Sequence, residues 1–241
     1  MITFNGVDLS NLIKVKSIGG RGPLSQSVVR TTVPGKDGAY AQRKKIPERP
    51  IPVTFDITGA SLTDIHQKVD SLNAILNTES DVPILFSDEA GKTYYGQLDG
   101  QPNWEEMRYK GRGSFNILCC DPCKYGAETS TTFVNTGSPN VSGNNKTFPK
   151  LEVTFTASAT EYKITHVATG KYVRVIDTFV AGEVLGIDFA TGKITLNGTV
   201  AMSILDWSNS EFFPLKPGAN SLSVTPTSIA NTKVLWKPRW M

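Results

Sequence analysis

Nothing in the sequence beyond residue 130 repeats with the period of a helix. Apolar and polar residues instead alternate there in short runs separated by turn-forming residues, the pattern typical of strands that bury one face. We therefore predict a two-sheet, all-β sandwich for the second half. The runs are 150–156, 162–167, 172–176, 184–189, 193–196, 199–204, 221–225 and 233–236.

The first half mixes strand and helix signals. In residues 51–57, large apolar side chains alternate with Pro, Thr and Asp, which predicts a strand with one buried face. Ser61 and Asp64 then form a weak capping box, and residues 62–77 predict one amphipathic helix laid on a sheet. Its apolar positions are Leu62, Ile65, Val69, Leu72 and Leu76.

The two halves meet just after a segment that holds all three cysteines. Residues 114–120 predict a last strand of the first half, and Pro122 ends it because proline cannot donate to a sheet ladder. The tract 131–148 is rich in Gly, Ser, Asn and Thr, a composition typical of connections. We therefore expect the linker between two domains there.

The predicted fold class is mainly β. The N-terminal domain, residues 1–130, is α+β with one helix on a β-sandwich or split barrel, and the C-terminal domain, residues 149–241, is an all-β sandwich. Two placements suit the apolar residues 233–241: they close the sandwich, or they return to the first domain.

Bulk composition is that of an ordinary globular protein. Of 241 residues, 39% are hydrophobic and 20% charged, and the net charge is +3. This excess is too small to predict a nucleic-acid surface, which needs a clustered basic face. Neither a secretion signal nor an apolar run of the ~18 residues that span a membrane is recognisable, so we expect synthesis in a cytoplasm.

Cys119, Cys120 and Cys123 are the first candidates for chemistry. A structural zinc site needs four ligands, and neither a second cysteine pair nor a nearby histidine completes this set. A thioredoxin-like motif would open a helix, whereas Pro122 and the residues after it lead into the predicted linker. We therefore predict no metal, no cofactor and no redox role, only a strand end with buried thiols.

The inventory for acid and base catalysis is also thin. His66 falls on the predicted helix and His166 in a predicted strand, and for both a structural role is the better interpretation. No Gly-x-Ser-x-Gly nucleophile elbow is present, and the acidic residues are scattered. We predict that the protein is not an enzyme and has no catalytic residues.

Two segments of the first half are not typical of a core. Residues 33–45 carry two glycines and four basic side chains, and residues 104–113 are charged and aromatic. We predict an exposed loop or arm for the first segment and a projecting hairpin for the second. The basic cluster 43–45, with Arg49 close by, is better explained as a solvated loop or a protein contact than as a nucleic-acid-binding site.

The order and spacing of several motifs resemble siphophage distal tail proteins. The sequence Cys-Asp-Pro-Cys-Lys-Tyr-Gly at 120–126 carries most of this resemblance, although the family usually has an aromatic or apolar residue at Cys123. The other motifs of the first half are Phe-Asn-Gly at 4–6, Pro-Gly-Lys-Asp-Gly at 34–38, Arg-Pro-Ile-Pro-Val at 49–53 with its following helix, and Leu-Phe-Ser-Asp at 85–88 leading to Tyr-Tyr-Gly at 94–96 and Leu98.

The second half fits the same family. The Asn-Gly turn at 197–198 and the segment 213–224 resemble the galectin-like sandwich of distal tail proteins. The resemblance implies a structural virion protein that forms a homo-hexameric ring at the distal end of a long non-contractile tail. In it, the N-terminal domains form a ring that continues the tail tube, and the galectin-like domains lie outside.

The resemblance also implies partners. These are the tail-tube protein above the ring, a tail-associated or fibre protein below it, the tape measure protein inside it, and in some phages receptor-binding proteins at the outer domains. No membrane or specific nucleic-acid partner is implied.

Ring closure requires contacts between unlike surfaces of adjacent subunits, and polar arms can supply them. We therefore expect residues 33–45 or 104–113 to cross to a neighbouring subunit. The residues assigned to these inter-subunit arms are Pro34, Lys36, Asp37, Tyr40, Arg43, Lys44, Trp104, Arg108 and Tyr109.

A carbohydrate-binding adhesin is the alternative function, because the predicted sandwich resembles a lectin and Trp207, Trp236 and Trp240 could stack on sugar rings. Against it, these tryptophans fall at or near predicted strand ends, where they could equally be core or domain contacts. An enzyme ranks third, supported only by unassigned carboxylates.

Overall fold

The computed structural model describes all 241 residues, which divide into two compact units. The first comprises Met1–Lys124 together with Met241, and the second comprises Tyr125–Trp240. Strands predominate in both units, and the chain contains one α-helix. The mainly β fold class predicted from the sequence is confirmed.

The first unit is built on an antiparallel sheet of seven strands in the order β2-β1-β7-β8-β9-β6-β3, while β4 and β5 pair separately. The helix α1 follows β6, and a 3-10 helix spans Leu9–Asn11. The elements are β1 (Ile2–Phe4), β2 (Val7–Asp8), β3 (Lys14–Ile18), β4 (Ser27–Thr31), β5 (Tyr40–Lys45), β6 (Arg49–Thr58), α1 (Leu62–Leu76), β7 (Val82–Phe86), β8 (Thr93–Met107) and β9 (Lys110–Cys119).

Alternation of side chains decides which face of this sheet is buried. The apolar positions predicted for β6 are all buried, and the ring of Phe55 lies 5.4 Å from that of Phe115 on the neighbouring β9. Residues that alternate with these buried positions along the strands, such as Thr54 and Ser114, point to the opposite face and are partly exposed. The sheet therefore has one apolar face and one polar face.

The helix α1 begins where the sequence predicts it. The Ser61 hydroxyl accepts a hydrogen bond from the Asp64 amide at 3.2 Å, and the Asp64 carboxylate accepts one from the Ala60 amide at 2.9 Å. The first bond satisfies one of the amides that a helix start leaves without intrahelical partners, and the second pairs the amide of the residue before the N-cap.

The buried stripe of α1 is narrower than predicted. Ile65, Leu72 and Leu76 are buried, whereas Leu62 is exposed. At 3.6 residues per turn, Leu62 lies about 60° from the centre of the buried stripe, which places it at the border with solvent.

The second unit is a two-sheet sandwich. One sheet has the order β11-β22-β14-β17-β18-β19 and the other β12-β21-β15-β16, while β13 pairs with β20. The strands are β10 (Lys124–Tyr125), which begins at the last residue of the first unit, β11 (Thr129–Phe133), β12 (Thr136–Gly137), β13 (Asn140–Val141), β14 (Lys150–Phe155), β15 (Ala159–His166), β16 (Tyr172–Phe179), β17 (Val184–Asp188), β18 (Lys193–Leu196), β19 (Thr199–Val200), β20 (Gly218–Ala219), β21 (Leu222–Thr225), β22 (Ala230–Trp236) and β23 (Arg239–Trp240).

Aromatic side chains from both sheets fill the sandwich. Phe155 of β14 and Phe179 of β16 stack with ring centres 4.3 Å apart. The buried Tyr162 hydroxyl shares a hydrogen bond of 2.9 Å with the Thr232 hydroxyl across the core. Because a buried hydroxyl without a partner is costly, this bond lets a tyrosine occupy the interior.

The predicted linker at 131–148 is wrong. Three strands, β11 to β13, lie largely within it, and Phe133 and Val141 pack on the sandwich core. Both β11 and β12 are edge strands, which tolerate polar residues because only one of their sides pairs. Composition therefore indicated a connection where the chain forms short edge strands.

Two other expectations for the second half need correction or completion. The run 199–204 forms a strand only to Val200, and Met202–Ile204 is a 3-10 helix. Lys233–Trp236 belongs to β22, which pairs with both β11 and β14 and so closes the sandwich. The Arg239 carbonyl then accepts hydrogen bonds from the Asn144 and Asn145 amides of the same unit.

Candidate functional site: two exposed hairpins

The strands β4 and β5 form a hairpin outside the main sheet of the first unit. They pair only with each other, from Ser27 opposite Lys45 to Thr31 opposite Tyr40. Every residue of β5 is exposed, and so is every residue of β4 except Val29. We call residues 27–45 the arm hairpin.

Local contacts order the loop of the arm hairpin. The Lys36 amide donates to the Val33 carbonyl at 3.2 Å, and the Lys36 ammonium lies 3.6 Å from the centre of the Tyr40 ring. Gly35 and Gly38 have φ of +80° and +84°, a backbone that L side chains rarely adopt. The predicted arm residues on this hairpin are all exposed: Pro34, Lys36, Asp37, Tyr40, Arg43 and Lys44.

The arm hairpin is strongly basic. It contains Arg30, Lys36, Arg43, Lys44 and Lys45 against one acidic residue, so its formal charge is +4. None of these five cations lies within ion-pair distance of a carboxylate of the chain, unlike the cations of the main sheet. The charge is therefore available to an external partner.

The second predicted arm is the end of the long hairpin β8–β9. Its tip contains Arg108 and Tyr109, with the Arg108 guanidinium 5.3 Å from the centre of the Tyr109 ring, and both side chains are exposed. The Tyr109 carbonyl accepts a hydrogen bond from the Gly59 amide at 3.3 Å. This bond ties the tip to the turn that precedes α1.

Trp104 does not project from that hairpin. Its ring stacks on Phe55 at 6.3 Å between centres and packs partly buried against the core of the first unit. A Cβ at Gly111 would lie 2.0 Å from this ring. The neighbouring strand β9 therefore has room for the Trp104 ring only because residue 111 is a glycine. The assignment of Trp104 to an arm is corrected: its side chain is structural.

The polar face of the main sheet carries a cation cluster around one carboxylate. Asp56 lies 2.9 Å from Lys110 Nζ, 3.1 Å from Lys16 Nζ and 3.1 Å from Arg112 Nε. Hydrogen bonds from Lys110, then from Arg112 and Lys16, outweigh desolvation and hold the pKa of Asp56 well below its usual range. Asp56 therefore pairs with three cations, and the exposed Glu105, opposite Arg112 on β8, adds a second carboxylate to this face.

A second cluster surrounds Glu89 of the first unit. The Tyr94 hydroxyl and the Lys124 ammonium both donate to its carboxylate, the latter at 2.5 Å. Burial raises the pKa of Glu89, but these two bonds outweigh it and the net shift is downward. Burial and the Glu89 carboxylate together raise the pKa of Tyr94, so both groups hold fixed protonation states near neutrality.

Arg49 is not part of the exposed basic cluster that precedes it. Only 2% of this residue is exposed, and its Nε, Nη1 and Nη2 atoms all lack hydrogen-bond partners. The guanidinium instead makes a cation–π contact with Tyr94, at 5.5 Å from the centre of its ring. Alternate residues of a strand share a face, so Arg49 points inward together with Ile51 and Val53 of β6.

The cysteines lie at the end of β9. Cys119 and Cys123 are buried and Cys120 is exposed, and none forms a disulfide. Burial raises the pKa of Cys119 to about 12, so its thiol stays protonated and unreactive at neutral pH. This position fits the predicted strand end with buried thiols.

The histidines have local partners. His166 is buried, with Nδ1 2.8 Å from the Thr169 hydroxyl and Nε2 3.4 Å from the Asn220 amide oxygen. His66 is exposed on α1 and lies 2.5 Å from Glu106. No helix of the protein combines the length and the apolarity needed to cross a membrane.

The three tryptophans considered for sugar stacking have different surroundings. Trp236 is buried in the sandwich core and Trp240 is partly buried. Trp207 lies in a turn with 66% of its surface exposed, the largest exposed fraction of any large apolar residue in the chain. Trp207 is therefore the most accessible of the three to a ligand.

Sequence reasoning missed the two ion clusters and buried Arg49. Asp56 alternates with buried residues and was assigned to the wet face, but the cations around it come from β3 and β9, whose pairing register the sequence does not state. The parity of Arg49 with Ile51 and Val53 was a usable signal for its burial. No hydrogen bond, ion pair or ring contact joins the two predicted arms.

Two tail-protein domain models match the chain. A phage tail protein RIFT-related domain matches residues 6–119, and a siphovirus-type tail component, C-terminal domain, matches residues 142–240. The two units therefore define a siphovirus-type tail component. The distal tail protein of Bacillus phage SPP1 is 31% identical over 237 residues, which cover 95% of this chain and 93% of that protein. The chain belongs to the distal tail protein family, whose members are structural proteins of the virion tail.

Solved structures share the fold. The crystal structure of SPP1 Dit, described as a paradigm of the hub adsorption apparatus in phages that infect Gram-positive bacteria, has a TM-score of 0.90 at 24% identity, covering 100% of this chain and 98% of that one. A chain of the phage P2 baseplate in its activated conformation has a TM-score of 0.51 at 9% identity, covering 94% and 91%. The family resemblance identified from the motifs is confirmed.

Proposed function

We propose that this protein forms a homo-hexameric ring at the distal end of a long non-contractile phage tail, where it is the hub that joins the tail tube to the tail-tip and host-adsorption apparatus. The arm hairpin is the observation that carries this proposal. A two-stranded ribbon without a third strand or a packed face is marginally stable in water, so it needs a surface outside its own chain.

A ring satisfies that need. A contact between the arm hairpin and a different surface of the next copy is heterologous, and such contacts close into a ring when the rotation between copies divides a full turn. The description of SPP1 Dit as a paradigm of a hub adsorption apparatus supports the proposed role as a hub.

The proposed partners follow from the position in the tail. The ring contacts the tail-tube protein on one face and a tail-associated or fibre protein on the other, encloses the tape measure protein, and in some phages holds receptor-binding proteins. The protein acts without catalysis, and it is synthesised and assembled in the bacterial host cytoplasm.

Negative-stain class averages of the purified full-length chain test the proposal, because they count the copies in a ring directly. We expect six-fold rings. A variant in which a Gly-Ser turn replaces residues 28–44 should remain folded by circular dichroism and lose the rings. Rings of another order, or unchanged rings in this variant, would contradict the proposal.

Exposed Trp207 favours a second candidate, a carbohydrate-binding adhesin, since a free indole face can stack on a sugar ring. A glycan array probed with the full-length protein and with Trp207→Ala distinguishes the two functions. Specific binding that the substitution abolishes would support the adhesin, and an empty array with intact six-fold rings would support the hub alone.

A further inference from the structure

The arm hairpin has properties that restrict which surface can receive it. Its charge of +4 is unpaired, and its exposed apolar side chains include Val28, Val33 and Tyr40. The pairing of β4 with β5 shifts by one residue between Val29↔Arg43 and Arg30↔Ala41, so Tyr40 and Arg43 lie on one face of the hairpin and Lys44 lies on the other. A receiving surface therefore needs carboxylates beside a concave apolar patch.

The polar face of the main sheet does not fit. Lys16, Lys110 and Arg112 surround a single carboxylate there, and each retains substantial exposure. A second group of cations placed on this face would be repelled. The second unit does not fit well either, because residues 125–240 hold 10 basic and 8 acidic side chains.

The end of α1 and the residues after it have the opposite charge. Asp70, Glu79 and Asp81 are exposed, form no ion pair and lie in a stretch, residues 69–81, without a single basic side chain. The last turn of α1 likewise lacks a basic residue. The partial negative charge at this helix end is therefore not compensated within the chain.

A groove accompanies these charges. A cavity of about 470 Å³ opens beside the C-terminal half of α1, with Leu76 and Leu98 as its apolar lining and Asn73, Asn77 and Thr78 as its polar lining. The buried Thr78 hydroxyl oxygen has no hydrogen-bond partner. The groove thus combines apolar and polar lining, and Asp70, Glu79 and Asp81 lie within three residues of that lining along the chain.

We infer that the occupant of this groove is the arm hairpin of a second copy of this chain. Tyr40 packs against the apolar lining, and Arg43, on the same face, pairs with Asp70 or Glu79. This inference rests on the proposed ring, and it assigns the two unlike surfaces whose repeated contact closes that ring.

Charge reversal on each side, followed by a combined swap, tests the contact in the full-length protein. The arm variant is Arg43→Glu with Lys44→Glu, and the groove variant is Asp70→Lys with Glu79→Lys. A matched control, Lys146→Glu with Lys193→Glu, reverses two exposed, unpaired lysines of the sandwich. Mass photometry across a dilution series measures the fraction of chains in rings.

We expect each reversal to raise the concentration at which half of the chains are in rings by about tenfold or more, because attraction becomes repulsion at every interface. The combined swap should restore ring formation to within about threefold of the wild type, and the control should leave it unchanged. Carbodiimide crosslinking of mixed ¹⁴N and ¹⁵N chains should join Lys36, whose ammonium lies over the Tyr40 ring, to Asp70 or Glu79 between copies.

The outcomes that would contradict the arm-to-groove contact differ from the outcome that would also contradict the ring. Wild-type rings that tolerate both reversals, or a swap that is no better than the single reversals, would overturn the arm-to-groove contact and leave the ring proposal standing. A wild-type chain that remains monomeric at every concentration would overturn both. Crosslinks confined to one isotope would show that the arm contacts its own chain and would refute the inference.

Discussion

Replacing Arg49 by methionine should stabilise the first unit. The guanidinium is almost completely buried, and none of its nitrogens has a hydrogen-bond partner. Burying an unpaired cation costs several kcal/mol after relaxation, and the Tyr94 ring at 5.5 Å returns about 1–2 kcal/mol of this. Methionine is flexible enough to fill the same space without a charge.

The expected gain in the free energy of unfolding is about 1–4 kcal/mol. For a unit of 125 residues, each kcal/mol corresponds to about 4 °C in its unfolding temperature, so the shift is about 4–16 °C. Differential scanning calorimetry of the full-length chain measures it. The transition of the sandwich serves as an internal reference because Arg49 belongs to the other unit.

Lys14→Met is the control. Lys14 is an exposed lysine of the same unit without an ion pair, and its substitution should change the free energy of unfolding by less than about 0.5 kcal/mol. A loss of more than about 2 kcal/mol in Arg49→Met, with a neutral control, would refute the reasoning. It would mean that a buried water or anion satisfies the guanidinium.

Trp104→Ala should destabilise the first unit by about 2–4 kcal/mol in urea unfolding, because it leaves a cavity beside Phe55, whereas unchanged stability would place Trp104 outside the core. Because the pKa of Asp56 is lower in the folded protein, its stabilising effect is present above its unfolded value and is lost as pH falls through the folded value. Asp56→Asn should therefore flatten the loss of stability in acid between about pH 5 and pH 2, and an unchanged acid limb in a pH series of urea curves would contradict this. Iodoacetamide at pH 8 should label Cys120 and spare Cys119 in the folded protein, so mass spectrometry that finds Cys119 labelled first would disprove its burial.

Local periodicity was enough to predict the helix and the strongest strand. The cap at Ser61 and the apolar repeats after it define α1 without tertiary information, and the alternation in residues 51–57 does the same for β6. Leu62 was misplaced because propensity and pattern do not determine how wide a stripe the sheet covers.

Edge strands and ion clusters depended on information that lies elsewhere in the chain. The strands β11 and β12 are polar and short, so they are recognisable only through the partners β22 and β21 that pair with them. The arm hairpin was predicted as an exposed segment, but its pairing and the unmatched carboxylates beside α1 required the folded structure.

The strands in residues 129–137 determine where a stable fragment of the second unit can begin. Because β11 pairs within one sheet and β12 within the other, residues 129–137 connect the two sheets of the second unit. A fragment that starts at residue 149 would lose both strands and the Phe133 side chain, and it would present the edges of β22 and β21 to other molecules. Such unpaired edges template aggregation, so a useful sandwich fragment has to start near Tyr125.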